Sequence, residues 1–282
     1  MVLESLVNPA IAKQKPWETF LLGSLYAVVG LFLSYWVFPE YSSMIMVFLI
    51  TLAAVPLLFF TVNSEEEFDT KLAKEGSILH EHFRVIVFLM MFFFGTTASL
   101  VVLYIFLPTG MVTTIFSSQS QTILAINNNV SGGVVNLSAF GHILMNNLRV
   151  LVFSILFSFL YGIGSLFILM WNSTVIAAAI GNFIRSHLSE VVASTQLSGV
   201  GSYFQIFSVG FLRYAVHGIP EVIAYFIGGL AGGILSVAVI KHDIFSDKRD
   251  RIFSDATELV LLGLATLIIA AFIEVYITPI LF

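Results

Sequence analysis

A few ionisable residues in apolar surroundings are the part of this sequence that could do chemistry. Glu221 begins an apolar run that continues to Ile240, and His217 precedes it by four residues. Arg149 introduces another apolar run, and Glu274 has apolar neighbours on both sides. Unpaired charges are costly in hydrocarbon, so intramembrane ionisable residues are functional candidates. The same residues could instead form a structural clamp between Arg149 and a carboxylate, and the sequence leaves both interpretations open.

Pro220 predicts that a helix begins beside Glu221. Proline suits the first helical turn, because the N–H that it lacks would have no partner there. Glu221 would then face the positive end of the helix dipole. A helix that starts after His217 need not place His217 and Glu221 on one face, and no HExxH motif or other zinc-protease spacing occurs. The sequence therefore predicts neither a bound metal nor another cofactor.

Glycines in the same apolar run predict close helix packing. They form two overlapping pairs in which the partners are four residues apart, and such pairs let a neighbouring helix approach closely. We therefore expect this run to lie in the middle of a helical bundle. The four glycines are Gly228, Gly229, Gly232 and Gly233.

The composition indicates an integral membrane protein. Of its 282 residues, 58% are hydrophobic and 10% are charged, whereas a soluble domain carries about 25% charged residues. We predict an all-α, polytopic transmembrane bundle in which the lipid bilayer is the first partner. The sequence has no basic tract for nucleic acid and no cysteine for disulfide or thiolate chemistry.

About seven spans are expected, since a span needs about 20 apolar residues. The chain forms one integral membrane domain with three parts: 1–84 with two spans and a cytoplasmic loop, 85–142 with the third span and an external loop, and 143–282. The segment 173–216 is predicted to be broken, with one crossing and a re-entrant or interfacial piece, because polar residues 185–198 interrupt it. The clear spans are Phe20–Phe38, Met44–Val62, Val85–Leu107, Val150–Met170, Val222–Ile240 and Leu259–Ile273.

Basic residues predict the orientation, because cytoplasmic loops are enriched in Lys and Arg. The loop 109–142 has neither residue and is expected outside. We therefore predict a multi-pass protein of the cell membrane with a cytoplasmic N-terminus and an external C-terminus. The basic residues placed inside are Lys13, Lys15, Lys71, Lys74, Arg84, Lys241, Lys248, Arg249 and Arg251.

This topology brings the ionisable residues to one depth. Glu274 lies roughly 24 Å beyond Glu258 along a helix that runs outward, at about 1.5 Å per residue. Arg149 and Glu221 each begin a span at the outer side. We therefore predict one polar cluster of Arg149, His217, Glu221 and Glu274 in the outer third of the membrane, with Arg149 within ion-pair reach of a carboxylate.

Four stretches resemble the stage II sporulation protein M family: NNLRV at 146–150, GIGSLFILMWNSTVIAAAIG at 162–181, HGIPEVIAYFIGGLAGG at 217–233 and IEVYITP at 273–279. The resemblance covers roughly the C-terminal half of the chain. It implies a membrane scaffold that works alongside peptidoglycan-degrading enzymes in the engulfment step of sporulation, without established catalytic residues. The motif residues are Asn147, Arg149, His217, Gly218, Pro220, Glu221, Glu274 and Pro279.

Three functions are compatible with these residues. The resemblance and the absence of catalytic spacing favour a non-enzymatic scaffold that assembles with other membrane or envelope proteins, or with further copies of itself. The buried charges and the interrupted segment favour, as the alternative, a transporter or channel for an ion or small solute. An intramembrane hydrolase that uses His217 and Glu221 ranks third.

Overall fold

The structure, a computed structural model, describes residues 16–69, 78–130, 136–161, 164–193, 200–240 and 249–281. Helices account for nearly all of these residues, and no strand occurs in the described ranges. The predicted all-α class is therefore confirmed. Seven helices are long and apolar enough to cross a membrane, so the chain is a multi-pass membrane protein with the predicted number of spans.

We number the helices in chain order. A 3-10 turn, Pro39–Tyr41, precedes α2, and a π-helical turn, Ile273–Ile277, joins α9 to α10. The candidate spans lie in α1, α2, α3, α6, α7 and α8, and in α9 continued through α10. The helices are α1 Pro16–Val37, α2 Ser42–Asp69, α3 Ile78–Phe106, α4 Thr109–Ile115, α5 Ser117–Val130, α6 Asn136–Tyr161, α7 Ser165–Ala193, α8 Val200–Ile240, α9 Arg249–Phe272 and α10 Thr278–Leu281.

The middle of the chain corrects the predicted boundaries. The stretch predicted as the loop 109–142 contains α4, α5 and the start of α6, and the predicted span 150–170 is divided between α6 and α7. Near 173–216 the expected single crossing is present, but residues 204–216 are part of α8 and do not form a separate re-entrant or interfacial piece. In the described residues, α7 supplies one complete span, Ser165–Glu190, and residues 204–216 belong to the next span, Phe204–Ile240.

Side-chain partners explain why α7 continues into polar sequence. Arg185 donates hydrogen bonds to the carbonyl oxygens of Tyr104 (3.2 Å) and Leu107 (3.0 Å), and to the hydroxyl of Thr109 (2.7 Å). The last carbonyls of a helix have no partner within it, so Arg185 satisfies the end of α3. Gly210 in α8 packs against Ile184 in α7, which places the first part of α8 within the bundle.

Pro220 lies inside α8 and does not begin a helix, contrary to the prediction. Its missing N–H leaves the carbonyl of Val216 without the usual intrahelical donor. The whole of α8 has 41 residues, which corresponds to about 60 Å of helix, twice the hydrocarbon thickness of about 30 Å. His217 and Glu221 therefore do share one continuous helix, one turn apart.

Close backbone contacts between small residues hold the spans together. A Cβ added at Gly23 would collide with the carbonyl oxygen of Phe92, and one added at Gly95 would collide with that of Phe20. Ser24 and Thr96 then donate reciprocal hydrogen bonds to the carbonyls of Gly95 (3.1 Å) and Gly23 (3.3 Å). This contact joins α1 to α3.

A buried polar group attaches α5 to the bundle. The amide of Gln119, a fully buried residue, accepts a hydrogen bond from the hydroxyl of Ser43 (2.7 Å) and donates one to the hydroxyl of Thr174 (3.0 Å). These bonds link α5 to α2 and α7. The serine- and asparagine-rich region after α3 is therefore a packed part of the fold.

Candidate polar site in the membrane-spanning bundle

Two carboxyl groups meet within the spanning part of the chain. Glu221 in α8 and Glu274 in the π-helical turn lie within hydrogen-bonding reach of each other. Both residues belong to candidate spans, Phe204–Ile240 and Ile252–Leu281. A hydrogen bond between two carboxyl groups needs a proton on one of them, because an ionised carboxylate only accepts. The two carboxyl groups therefore form a polar contact between α8 and the π-helical turn.

Asn147 of α6 completes the contact between three helices. Its Nδ2 donates to Oε1 of Glu221 at 2.5 Å, and its side chain is 6% exposed. Tyr225, one turn along α8 from Glu221, is buried and lies close enough to interact electrostatically with both carboxyl groups. We call Asn147, Glu221 and Glu274 the carboxyl site.

Both helices that supply a carboxyl group are irregular at that point. Pro220, inside α8, immediately precedes Glu221, and Glu274 is the second residue of the π-helical turn. The Thr278 hydroxyl donates to the carbonyl of Ile273 (3.1 Å), five residues earlier. π-Helical turns occur frequently at functional sites.

His217 lies one turn from the carboxyl site, toward the start of α8. Its Nδ1 is 3.4 Å from the hydroxyl of Thr278, so the contact between α8 and the end of the chain continues beyond the two glutamates. Arg213 lies near His217, is exposed, and holds its guanidinium 5.5 Å from the centre of the Phe183 ring. No hydrogen bond joins His217 to Glu221, so the pair lacks the base–partner contact that a hydrolase would use.

The predicted ion pair of Arg149 is absent. Arg149 is exposed and makes no ion pair with Glu221 or Glu274, while Asn147 takes the place next to Glu221. Successive helical residues are separated by about 100° around the axis. Side chains two positions apart therefore lie on nearly opposite sides of the helix. Since Asn147 faces α8, Arg149 faces away from it.

The glycines of α8 lie against two neighbouring helices. A Cβ at Gly228 would meet Leu151, and one at Gly232 would meet the carbonyl of Ile155. A Cβ at Gly229 would be 2.7 Å from the hydroxyl of Ser165 in α7. Gly233 is partly buried. Two other motif residues differ from these: Gly218 is buried with no atom within 4 Å of an added Cβ, and Pro279 is exposed.

Sequence reasoning missed the hydroxyl groups near the site. Ser154 and Ser158 follow Asn147 by seven and eleven residues, and this spacing is the signal that could have identified one helical side. Tyr225 follows Glu221 by four residues and Thr278 follows Glu274 by four residues, so each lies one helical turn from a carboxyl group. Among the described residues, no group of three or more His, Cys, Asp or Glu could hold a metal ion. Two carboxyl groups and one amide could bind a proton or a small cation.

Comparison with known proteins identifies one family. A family model described as stage II sporulation protein M matches residues 85–279, which include most of α3, all of α4 to α9, and the carboxyl site. No curated protein and no solved structure matches the chain. The family is not a known enzyme family.

Proposed function

The chain belongs to the stage II sporulation protein M family, and we propose that this member transports protons through its membrane-spanning bundle. The proton-binding group is the carboxyl site of Asn147, Glu221 and Glu274. The observation that supports this function is the contact between two carboxyl groups, from separate helices, within candidate spans.

A structural clamp was the alternative to a working site, and it required a basic residue paired with one of the two carboxylates. Arg149 makes no ion pair with either carboxylate, and the only basic groups on the adjoining turns of α8 are His217, which contacts Thr278, and Arg213, which contacts Phe183. An uncompensated pair of carboxyl groups is a costly arrangement in a membrane. Reversible proton binding gives that arrangement a function that packing alone does not.

Reconstituted vesicles test the proposal directly. A pH-sensitive dye trapped inside should report proton entry after the outside is acidified, at a rate above that of protein-free vesicles. Glu274→Gln and Glu221→Gln should each reduce the rate to the protein-free level, because an amide cannot release a proton. The matched control is Glu258→Gln, an exposed carboxylate on α9, and it should leave the rate unchanged.

The same vesicles separate protons from other ions. If sodium or potassium gradients drive a flux that Glu274→Gln abolishes while proton entry stays at background, the site binds a small cation and the proton proposal is wrong. If the wild-type protein supports no flux of protons, sodium or potassium, transport through this site is wrong altogether.

A non-enzymatic assembly role is the second candidate, and Arg149 is the observation that favours it. This cation lies on the exposed face of α6 together with Phe153 and Leu156, which are 50% and 43% exposed. Spacings of four and seven residues place the three on one helical side. A membrane-spanning partner helix with a carboxylate at the level of Arg149 would match this face in both charge and polarity.

Site-specific photocrosslinking tests the assembly role. A crosslinker at Phe153 in native membranes should give a defined adduct that Arg149→Gln abolishes, whereas a crosslinker at Leu261, an exposed position on α9, should give lipid adducts alone. Equal patterns at the two positions would show that α6 faces only lipid. The partner, another envelope protein or a second copy of the chain, would follow from the mass of the adduct.

A further inference from the structure

The two parts of α8 on either side of the carboxyl site differ in exposure. On the N-terminal side, every residue from Tyr214 to Glu221 except Gly218 is partly exposed. On the C-terminal side, every residue from Val222 to Gly229 except Ile223 is buried. The carboxyl site therefore lies at the boundary between an accessible part of the bundle and a closed part.

Close packing between α6 and α8 closes the C-terminal side. A Cβ at Gly228 would collide with the side chain of Leu151, and one at Gly232 would collide with the backbone carbonyl of Ile155. Ser154, in the same part of α6, has no exposed surface. Contacts this close leave no room for water between the two helices, so the carboxyl site has no aqueous path toward the C-terminal end of α8.

The accessible side leads to the nearer surface of the membrane. Arg213 lies eight residues before Glu221, which corresponds to about 12 Å along the helix axis. Its guanidinium contacts the ring of Phe183 in α7, two residues before Arg185, which binds carbonyls at the end of α3. Arg213 thus marks the level at which the third span ends. The distance of about 12 Å is less than half of the hydrocarbon thickness of about 30 Å.

Polar side chains continue along this accessible side of α8. Tyr214, His217 and Glu221 are three and four residues apart, and these spacings place them on one side of the helix. The rings of Tyr214 and His217 are 6.3 Å apart. All three residues are partly exposed, and so is Glu274, which meets Glu221 from the π-helical turn. We call Tyr214, His217 and Glu221 the polar strip.

We propose that the carboxyl site takes up its proton along the polar strip, from the side of the membrane at which α3 ends, and that the contact between α6 and α8 is a closed gate toward the other side. This inference rests on the proton transport proposed above. A hydronium ion that reaches an ionised carboxyl group of the site transfers one proton to it and leaves as water, so one O–H bond breaks and one forms. The proton can leave on the other side only when Leu151 and Ile155 separate from Gly228 and Gly232.

Thiol labelling tests the accessible side without a flux measurement. The chain has no cysteine of its own, and the reactive form of an introduced one is the thiolate. A small, charged, membrane-impermeant thiosulfonate should modify His217→Cys completely, from the same side as Gln121→Cys, an exposed position beyond α3. Tyr214→Cys, one turn nearer the N-terminal end of α8, should react from that side too, and replaces His217→Cys if that variant does not fold.

The matched control for labelling is Ser154→Cys, whose position on α6 is fully buried beside the closed contact. Its thiol should stay free under the same treatment. Absence of labelling on the polar strip, or labelling there only from the side of Asp250→Cys at the start of α9, would show that the proposed route is wrong.

Disulfide trapping tests the closed gate. Leu151→Cys combined with Gly228→Cys places two thiols across the contact at which the side chain of Leu151 lies against Gly228. Oxidation should lock α6 to α8 and reduce proton entry into vesicles to the protein-free level, and a reductant should restore it. Each single-cysteine variant is the control, and its rate should not respond to the oxidant. Proton entry that continues at the same rate through the oxidised pair would show that this contact is not a gate.

The outcomes distinguish the route and the gate from the transport function. If Glu274→Gln abolishes proton entry while the polar strip stays unlabelled or the oxidised pair transports as before, transport stands and this inference is wrong. If the wild-type chain moves no protons, both proposals are wrong.

Discussion

At the residue scale, position along a helix could be predicted from the sequence, but direction around it could not. Counting residues from Glu258 predicted the height of Glu274, that is, its depth in the membrane. The structure brings Glu274 next to Glu221. Arg149 was assigned by height as well, yet its side chain lies on the exposed side of α6. Asn147, two residues earlier, faces α8 and forms the hydrogen bond to Glu221. Height alone therefore cannot decide which of two nearby polar residues makes a contact.

The Asn147–Glu221 hydrogen bond leads to a stability prediction. Asn147→Leu keeps the side-chain size but removes the donor, so an acceptor of Glu221 loses its partner. Thermal unfolding in detergent should show a loss of about 1–3 kcal/mol, the typical cost of an unsatisfied buried group. Arg149→Gln is the control, and it should change the stability by less than about 0.5 kcal/mol, as for other exposed positions. A larger loss from Arg149→Gln than from Asn147→Leu would restore the clamp interpretation.

At the element scale, hydropathy identified the number of spans and misplaced the boundaries of three. A hydropathy average takes no account of neighbouring helices, so a charged residue such as Arg185 marks the end of an apolar segment. In the structure, Arg185 satisfies carbonyls of α3, and α7 continues to Ala193. Pro220 led to the opposite error, because a helix was predicted to begin there. In the structure, Gly210 packs against α7 and Gly228 packs against α6, so α8 is held on both sides of Pro220. Both errors come from interactions between helices that are distant in sequence.

A second pair of glycines shows that a contact between α1 and α3 could have been predicted from the sequence. Phe-x-x-Gly-Ser at 20–24 and Phe-x-x-Gly-Thr at 92–96 are similar pentapeptides in different spans. Gly23 lies against the backbone of Phe92 and Gly95 against that of Phe20, with one reciprocal hydroxyl–carbonyl hydrogen bond on each side. Single glycines are common in membrane helices, so neither pentapeptide is a signal alone. The repeated pattern in two spans is the signal that predicts a shared contact.

Two glycines of α8 give a matched test of helix packing. A Cβ at Gly232 would collide with the backbone carbonyl oxygen of Ile155, whereas a Cβ at Gly218 would have no atom within 4 Å. Gly232→Ala should therefore destabilise the protein by about 1–3 kcal/mol through overpacking. Gly218→Ala should stabilise it by up to about 1 kcal/mol, because alanine favours a helix more than glycine. Equal melting temperatures for the two variants would show that α8 does not pack closely against α6.

At the scale of the whole molecule, the corrected spans simplify the charge distribution. Of the 12 Lys and Arg residues, three lie within candidate spans: Arg149, Arg185 and Arg213. The other nine fall before the first span, between the second and third spans, or between the sixth and seventh. With seven spans, these three regions lie on one side of the membrane. The remaining connections contain neither Lys nor Arg.

This distribution makes the orientation testable with two cysteines. Because basic loops stay in the cytoplasm, we expect the region between the third and fourth spans to be external and the region between the sixth and seventh to be cytoplasmic. Gln121 and Asp250 are exposed residues in these regions, and the chain has no cysteine of its own. A membrane-impermeant thiol reagent should label Gln121→Cys in intact cells, and should label Asp250→Cys only after the cells are permeabilised. The reverse pattern would invert the orientation but keep the seven spans. Labelling of both positions in intact cells would contradict the span count itself, because three spans separate these positions and an odd number must place them on opposite sides.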